Sequence, residues 1–189
     1  MQLKTLALFF LFSIIISCSS VKNEKVKTEL HKIIITTGDC YGTCPSTITY
    51  IDDSLSFYFA GLEFAKRNNI PTGYFKGKIS DTLWDLINAK TKSLKYQILD
   101  SVYNHSNDDQ SLQIMFEDSS RAQKIISAQE ASLPDTIRSF VYWVADLYKK
   151  ISLNKIDSIT FISQIPMSSF PHKLKPPPDI IKIMLPKNK

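Results

Sequence analysis

Two cysteines with three residues between them, Cys40 and Cys44, sit between two runs of β-branched residues. Ile33-Ile34-Ile35 lies ahead of them within His31–Thr37. Thr47-Ile48-Thr49-Tyr50-Ile51 lies behind them within Ser46–Asp52. Both runs read as strands, so residues 38–45, Gly-Asp-Cys-Tyr-Gly-Thr-Cys-Pro, form the connection that joins them. The remaining strands and helices must fold behind this short link. Gly42 in its middle is expected to take a backbone conformation closed to other residues.

The pattern beyond the link alternates between period two and period 3.6. Asp52-Asp53-Ser54 is a turn signal, and Leu55, Phe57 and Phe59 then alternate with smaller or polar residues as a strand over a core does. Gly61 ends that strand, residues 62–72 carry punctuation rather than periodicity, and Tyr74 to Ile79 can form a further strand. Ser80 is an N-cap with Asp81 in the first turn. Leu83, Leu86 and Ile87 come next at helical spacing, which predicts a helix over 80–93, and Ile79 with Trp84 can form a hydrophobic staple. Tyr96 to Tyr103 reads as extended and Asn104 to Gln110 as a polar loop. Leu112, Ile114 and Phe116 alternate, Asp118-Ser119-Ser120 turns the chain, and Ala122 to Ala128 pairs back as a hairpin. A second helix is predicted with Ser132 as cap and Pro134 in its first turn. Ile137, Phe140, Val141, Val144, Leu147, Tyr148 and Ile151 fall on one stripe of it. The sum is an α+β fold: a mainly antiparallel sheet of about five to six strands packed against two helices.

The N-terminal region sets the compartment. Lys4 precedes an apolar run from Leu6 to Ile16, too short to span a bilayer comfortably. Ile15-Ile16-Ser17-Cys18 resembles the bacterial lipobox, which implies cleavage before Cys18 and acylation of Cys18, with palmitate among the attached chains. The alternatives are an uncleaved anchor or a plain secreted protein. On the lipoprotein reading residues 1–17 are a signal peptide, 18–30 a polar tether, 31–151 the α+β domain, and 152–189 a basic, proline-containing extension. The protein is then held at a membrane by its N-terminal lipid, with its domain in the periplasm or at the cell surface. Cys40 and Cys44 remain as an even pair in an oxidising compartment, where a disulfide is the expected state. So small a loop gains roughly 2 kcal/mol from the bond.

Charge and motifs exclude several function classes. The formal charge is +5, but residues 18–150 balance 16 basic against 16 acidic side chains. A balanced domain lacks the basic face that nucleic acid requires, so no nucleic-acid partner is expected. His31, His105 and His172 are far apart, and two thiols with one stray histidine lack zinc spacing, so no metal site is expected. His105 near Asp108 and Asp109 reads as a solvated loop. There is no G-x-S-x-G, no phosphate-binding loop and no dinucleotide fingerprint, so no catalytic residue or cofactor is assigned. Asp52-Asp53 reads as a turn, and Trp84 and Trp143 as partly buried anchors.

Cys40-Tyr41-Gly42-Thr43-Cys44-Pro45 resembles the hallmark of a bacterial family of domains of unknown function, often found in lipoproteins: Cys-aromatic-Gly-x-Cys-Pro between two strands. The resemblance covers about residues 31–150 and implies the fold and an exported location, with no activity attached. Three functional readings remain. In the first, a non-enzymatic envelope lipoprotein binds a protein, peptide or glycan, with Tyr41, Gly42 and Thr43 as the binding loop. Rigid aromatic side chains suit such a surface, although Tyr41 can equally pack on the neighbouring strand. In the second, Cys40 and Cys44 serve thiol–disulfide chemistry, or the chain is another envelope enzyme; redox pairs usually have two-residue spacing at a helix start. In the third, an accessory subunit docks through its C-terminal extension, where Ile180, Ile181, Ile183 and Leu185 are too apolar for a free tail.

Overall fold

The structure, a computed structural model, describes residues 29–159 apart from 39, 41 and 105–108. In chain order its elements are β1 (Leu30–Thr37), β2 (Thr47–Asp52), β3 (Ser56–Gly61), β4 (Gly73–Lys78), helix α1 (Asp81–Leu94), β5 (Val102–Tyr103), β6 (Ser111–Asp118), β7 (Gln123–Gln129), helix α2 (Asp135–Ala145) and β8 (Asn154–Ile156). The strands form one sheet in the order β5-β7-β6-β1-β2-β3-β4-β8, antiparallel throughout except for the parallel β5–β7 pair.

The α+β class, the antiparallel sheet and the two helices agree with the sequence pattern, but the sheet has eight strands rather than five or six. The two extra strands are its edges. β5 is two residues long with Val102 exposed, and β8 is the polar triplet Asn154-Lys155-Ile156. Neither is long enough to show a period. β8 also carries the sheet past residue 151, the expected end of the domain. Within the segment expected to be extended, Tyr96–Ile98 is a 3-10 turn. α2 starts later than predicted, with Pro134 at the N-cap and Ser132 in a preceding 3-10 turn. The physical reason is that a proline disfavours helical backbone in the residue before it, and Leu133 is extended at ψ 139°.

β1 lies at the centre, paired to β2 on one side and β6 on the other. Both helices cover one face. There Ile33 and Ile35 of β1, flanked by Ile51, Ile114 and Phe116, meet Ile87 of α1 and Phe140, Val141 and Val144 of α2 in one core. Tyr96 stacks on Phe116 with centroids 4.4 Å apart, and Phe59 on Tyr148 at the same distance. Trp84 and Trp143 are half-buried against this core. α1 presents Leu83 and Ile87 inward, whereas Leu86 is 45% exposed. Ser80 caps α1 as expected, its hydroxyl accepting from the Leu83 N–H at 3.2 Å.

The β2–β3 and β6–β7 turns are built alike. Asp52 Oδ1 accepts from the Ser54 N–H, the Ser54 hydroxyl and the Ser56 N–H. Asp118 Oδ1 accepts from the Ser120 N–H, the Ser120 hydroxyl and the Ala122 N–H. The fourth residue of each, Leu55 or Arg121, is left-handed at φ 62° or 70°. An aspartate followed two residues later by serine thus satisfies the donors that a tight turn would otherwise strand.

Both turns lie at the end of the sheet where β1 begins, and a buried ionic cluster sits between them. Glu117 is 4% exposed and bonds Lys32 Nζ at 2.9 Å, Arg121 Nη1 at 2.9 Å and Gln123 Nε2 at 2.7 Å. His31 bridges outward, its Nδ1 lying 2.5 Å from Asp53 Oδ2. Burial pushes the Glu117 carboxyl up, but hydrogen bonds from Lys32, Arg121 and Gln123 outweigh it and hold it at about 2, below its ordinary 4.5.

The cluster and the packing of β3 each set a measurable stability. Because its pKa is lowered by folding, Glu117 contributes stability above pH 4.5 that is lost as the pH falls through about 2. At 1.36 kcal/mol per unit this is roughly 3 kcal/mol, most of it already lost at pH 2.5. Urea titrations at pH 6 and pH 2.5 should show that loss, and Glu117→Gln should remove most of this pH dependence. Gly61, at the end of β3, has no room for a side chain: a Cβ would lie 1.9 Å from the Pro71 carbonyl oxygen. Gly61→Ala should cost about 1–3 kcal/mol by forcing that backbone aside, read as a lower urea midpoint.

Candidate functional site

The end of the sheet opposite the ionic cluster carries the cysteine link. β1 ends at Thr37, and the Gly38 N–H still donates to the Ser111 carbonyl at 2.8 Å, so the chain leaves the sheet already held. Cys40 and Cys44 are joined by a disulfide, with Cα atoms 5.5 Å apart. Both are half-buried, while Gly42 and Thr43 are exposed at the tip. The Gly42 N–H donates to the Cys40 carbonyl at 2.8 Å, and the Cys44 N–H to Cys40 Sγ at 3.3 Å. Gly42 has φ 157°, and a Cβ there would stand 3.7 Å from Cys40 Sγ, an ordinary contact. Space does not demand glycine at this position, and the φ lies at the very edge of the range that favours it, a weaker constraint than the sequence suggests. Tyr41, the expected aromatic of the loop, lies outside the described residues, as do Cys18, His105 and His172.

Three polar side chains from outside the loop hold its two ends. Thr37 Oγ1 donates to the Pro45 carbonyl at 2.8 Å and accepts from the Thr47 N–H at 2.9 Å and from the Thr47 hydroxyl. Gln110, just ahead of β6, donates through Nε2 to the Pro45 carbonyl at 2.8 Å and the Gly38 carbonyl at 3.3 Å. Its Oε1 accepts from the Tyr142 hydroxyl of α2 at 3.2 Å. Burial, then a hydrogen bond to Glu130, raises the Tyr142 pKa, so the hydroxyl stays a donor at neutral pH. On the other side Asn68 Nδ2 donates to the Thr43 carbonyl at 2.9 Å and the Phe64 carbonyl at 3.0 Å. Loop ends are costly where carbonyls are buried unpaired. Here the carbonyls of Gly38, Thr43 and Pro45 all have partners.

Asn68 belongs to the connection between β3 and β4, which flanks the disulfide loop. That connection is also tied to Ser46 by two backbone bonds, Ser46 N–H to Glu63 O and Leu62 N–H to Ser46 O. Its outer side is an open groove of about 530 Å³ lined by Leu62, Glu63, Phe64, Lys66, Arg67 and Thr72. Phe64 is left-handed at φ 55°, a conformation that costs a bulky residue of order 1–2 kcal/mol. The Arg67 guanidinium sits 5.4 Å from the centre of its ring. Sequence reading does not find Gln110, Asn68 or Phe64. Gln110 is 72 residues from Gly38, and nothing local to either marks the contact.

The chemistry of this end is that of a preorganised surface. Thiol exchange benefits from a helix N-terminus beside the sulfur, whereas this pair lies between β1 and β2. Among the described residues no three of His, Cys, Asp and Glu converge in a group that could hold a metal. Removing the clamp should loosen the loop without melting the sheet. Gln110→Leu strands the Gly38 carbonyl and takes one of two donors from the Pro45 carbonyl, and should cost about 1–3 kcal/mol. It should also lower backbone NMR order parameters at Gly42 and Thr43 while those of β1 stay unchanged.

No curated protein and no solved structure matches the chain. A family model does match, over residues 31–148, a span running from β1 through α2 and the turn after it. The chain therefore belongs to the family described as a domain of unknown function (DUF6438).

Proposed function

We propose that this chain is a lipid-anchored protein of the bacterial envelope whose domain binds a protein, peptide or glycan through its disulfide end, without catalysis. The observation that carries the reading is the clamped loop. Gly42 and Thr43 stand exposed on a disulfide whose flanks are held by Thr37, Gln110 and Asn68, beside the groove of the 62–72 connection. A surface ordered before its partner arrives loses little entropy on binding. A disulfide within the fold also fits the oxidising compartment that acylation at Cys18 requires.

The direction of β1 supports the same reading. The tether meets the sheet at Leu30, beside the ionic cluster, and the disulfide loop leaves it at Thr37. Eight residues of strand span roughly 26 Å. A lipid at Cys18 would thus tether the domain by the end opposite the clamped loop.

The test has two parts. Radiolabelled palmitate should be incorporated by the wild-type chain and lost in Cys18→Ser, with the protein released from the membrane fraction. A photoreactive side chain placed at Thr43 in intact cells should give a discrete adduct, and the same group at Ile98, 79% exposed elsewhere on the domain, should not. Equal adducts at both positions, or none at Thr43, would contradict binding through this end. Unchanged palmitate labelling in Cys18→Ser would contradict the anchor.

A further inference from the structure

The connection between β3 and β4 is a compact loop with its own bonding. Gly61 and Gly73, the residues on either side of it, face each other in the β3–β4 ladder, so residues 62–72 leave the sheet and return to it at one point. The backbone N–H groups of Ala65, Arg67, Asn68, Asn69 and Ile70 all donate to carbonyls within the loop. Ala65 is buried and Leu62 packs on the apolar cluster beneath, so the loop is fastened inward at two places. Loops of this length with closed ends and their own packing are frequently functional. Two left-handed residues other than glycine, Phe64 and Asn69, are held in this one. Such strain persists only where the surroundings over-determine it.

The loop displays charge without a partner. Lys66 and Arg67 are exposed, and among the described residues neither meets a carboxylate. Both line the groove on the outer side of the loop, with Glu63 as the acidic residue of the same lining. The groove thus carries a net positive charge beside the apolar side chains of Leu62 and Phe64. The Arg67 guanidinium is set against the Phe64 ring, 5.4 Å from its centre. A contact of this kind fixes the cation and leaves its N–H fork free for a carboxylate. It also covers one face of a ring that is already half-buried, which leaves little flat aromatic surface for a sugar to stack on.

We propose that this groove takes an acidic segment of a partner polypeptide. A carboxylate side chain is held by Arg67 and Lys66, and a neighbouring apolar side chain lies on Leu62 and Phe64. Glu63 repels a second carboxylate, which favours one acidic residue among apolar neighbours over an acidic run. The inference rests on the reading that the disulfide end is a binding surface, and it names the ligand class of that surface. Asn68 joins the two parts, because its amide holds the Thr43 carbonyl of the disulfide loop and the Phe64 carbonyl of the groove wall at once. A segment seated in the groove therefore passes beside Thr43.

The test has a purified arm and a cellular arm, both with the full chain. In the first, short random peptides displayed on phage are panned against the protein. Binders should carry Asp or Glu beside an apolar residue. A binder resynthesised with Asn or Gln at that position should lose about tenfold in affinity for the wild-type chain. Lys66→Glu/Arg67→Glu should lose at least as much, with an unchanged urea midpoint, because both side chains are exposed. In the second arm, the photoreactive group at Thr43 is read in intact cells with and without that charge reversal. The adduct should be a polypeptide with Asp or Glu in the cross-linked segment, and the charge reversal should abolish it. An adduct at Thr43 that survives the charge reversal would leave the disulfide end a binding surface and overturn the groove as its carboxylate site. A glycan adduct, or panned binders whose affinity does not depend on an acidic residue, would overturn it too. No adduct at Thr43 in the otherwise unaltered chain would overturn the reading on which the inference rests. The resynthesised peptides are read on the wild-type protein, so they decide the matter even where the double variant misfolds.

Discussion

Burial of β1 on both of its faces is the constraint on which the rest depends. Its two edges are paired to β2 and β6, and its alternate residues are buried on opposite faces, Ile33 and Ile35 under the helices and Ile34 in the second cluster. Fully burying one such side chain contributes about 1.5–3 kcal/mol. A strand held in this way cannot shift register, because a slip of one residue would exchange the two faces. The elements at its two ends inherit that fixity.

At one end it fixes the ionic cluster. Lys32 is carried on β1 itself and meets Glu117 of β6, the residue opposite it in the ladder. Two charges so deeply placed are tolerable only because each carboxylate oxygen has a donor, from Lys32 and Gln123 on one side and Arg121 on the other. The paired Asp-x-Ser turns on either side satisfy their own backbone donors and leave the cluster undisturbed. At the other end β1 runs straight into the clamp. Thr37 is its last residue and also the hub of hydrogen bonds that returns the chain at Pro45 and Thr47. The disulfide does not have to create order in this loop; it closes the tip of a loop whose base the sheet already holds.

Much of this fold is legible in the sequence because its elements are periodic. The β-branched run at Ile33–Ile35, the alternation at Phe57 and Phe59, the Ser80 cap and the stripe from Ile137 to Leu147 each bury residues on one face, and burial imposes the period. The parts that are not legible have no period. β5 and β8 are two and three residues long, and backbone bonding to a neighbour, not side-chain pattern, makes them strands. The start of α2 is misplaced when a capping serine is weighed above the effect of Pro134 on the residue before it. The cysteine loop stands out because cysteines are rare. Its supports do not, because Gln110, Asn68 and Tyr142 are common polar residues that matter only through distant partners.

The central claim is that the cysteine loop shares the rigidity of β1. Native-state hydrogen exchange measures this directly, because amides open either locally or only with the whole fold. The informative amides are those of Gly38, bonded to Ser111, Gly42, bonded to Cys40, Ser46, bonded to Glu63, and Thr47, bonded to Thr37 Oγ1. The account predicts opening free energies for all four within about 1–2 kcal/mol of those at Ile34 and Ile35. Exchange at these four amides near the rate of an unstructured chain, with β1 still protected, would contradict it.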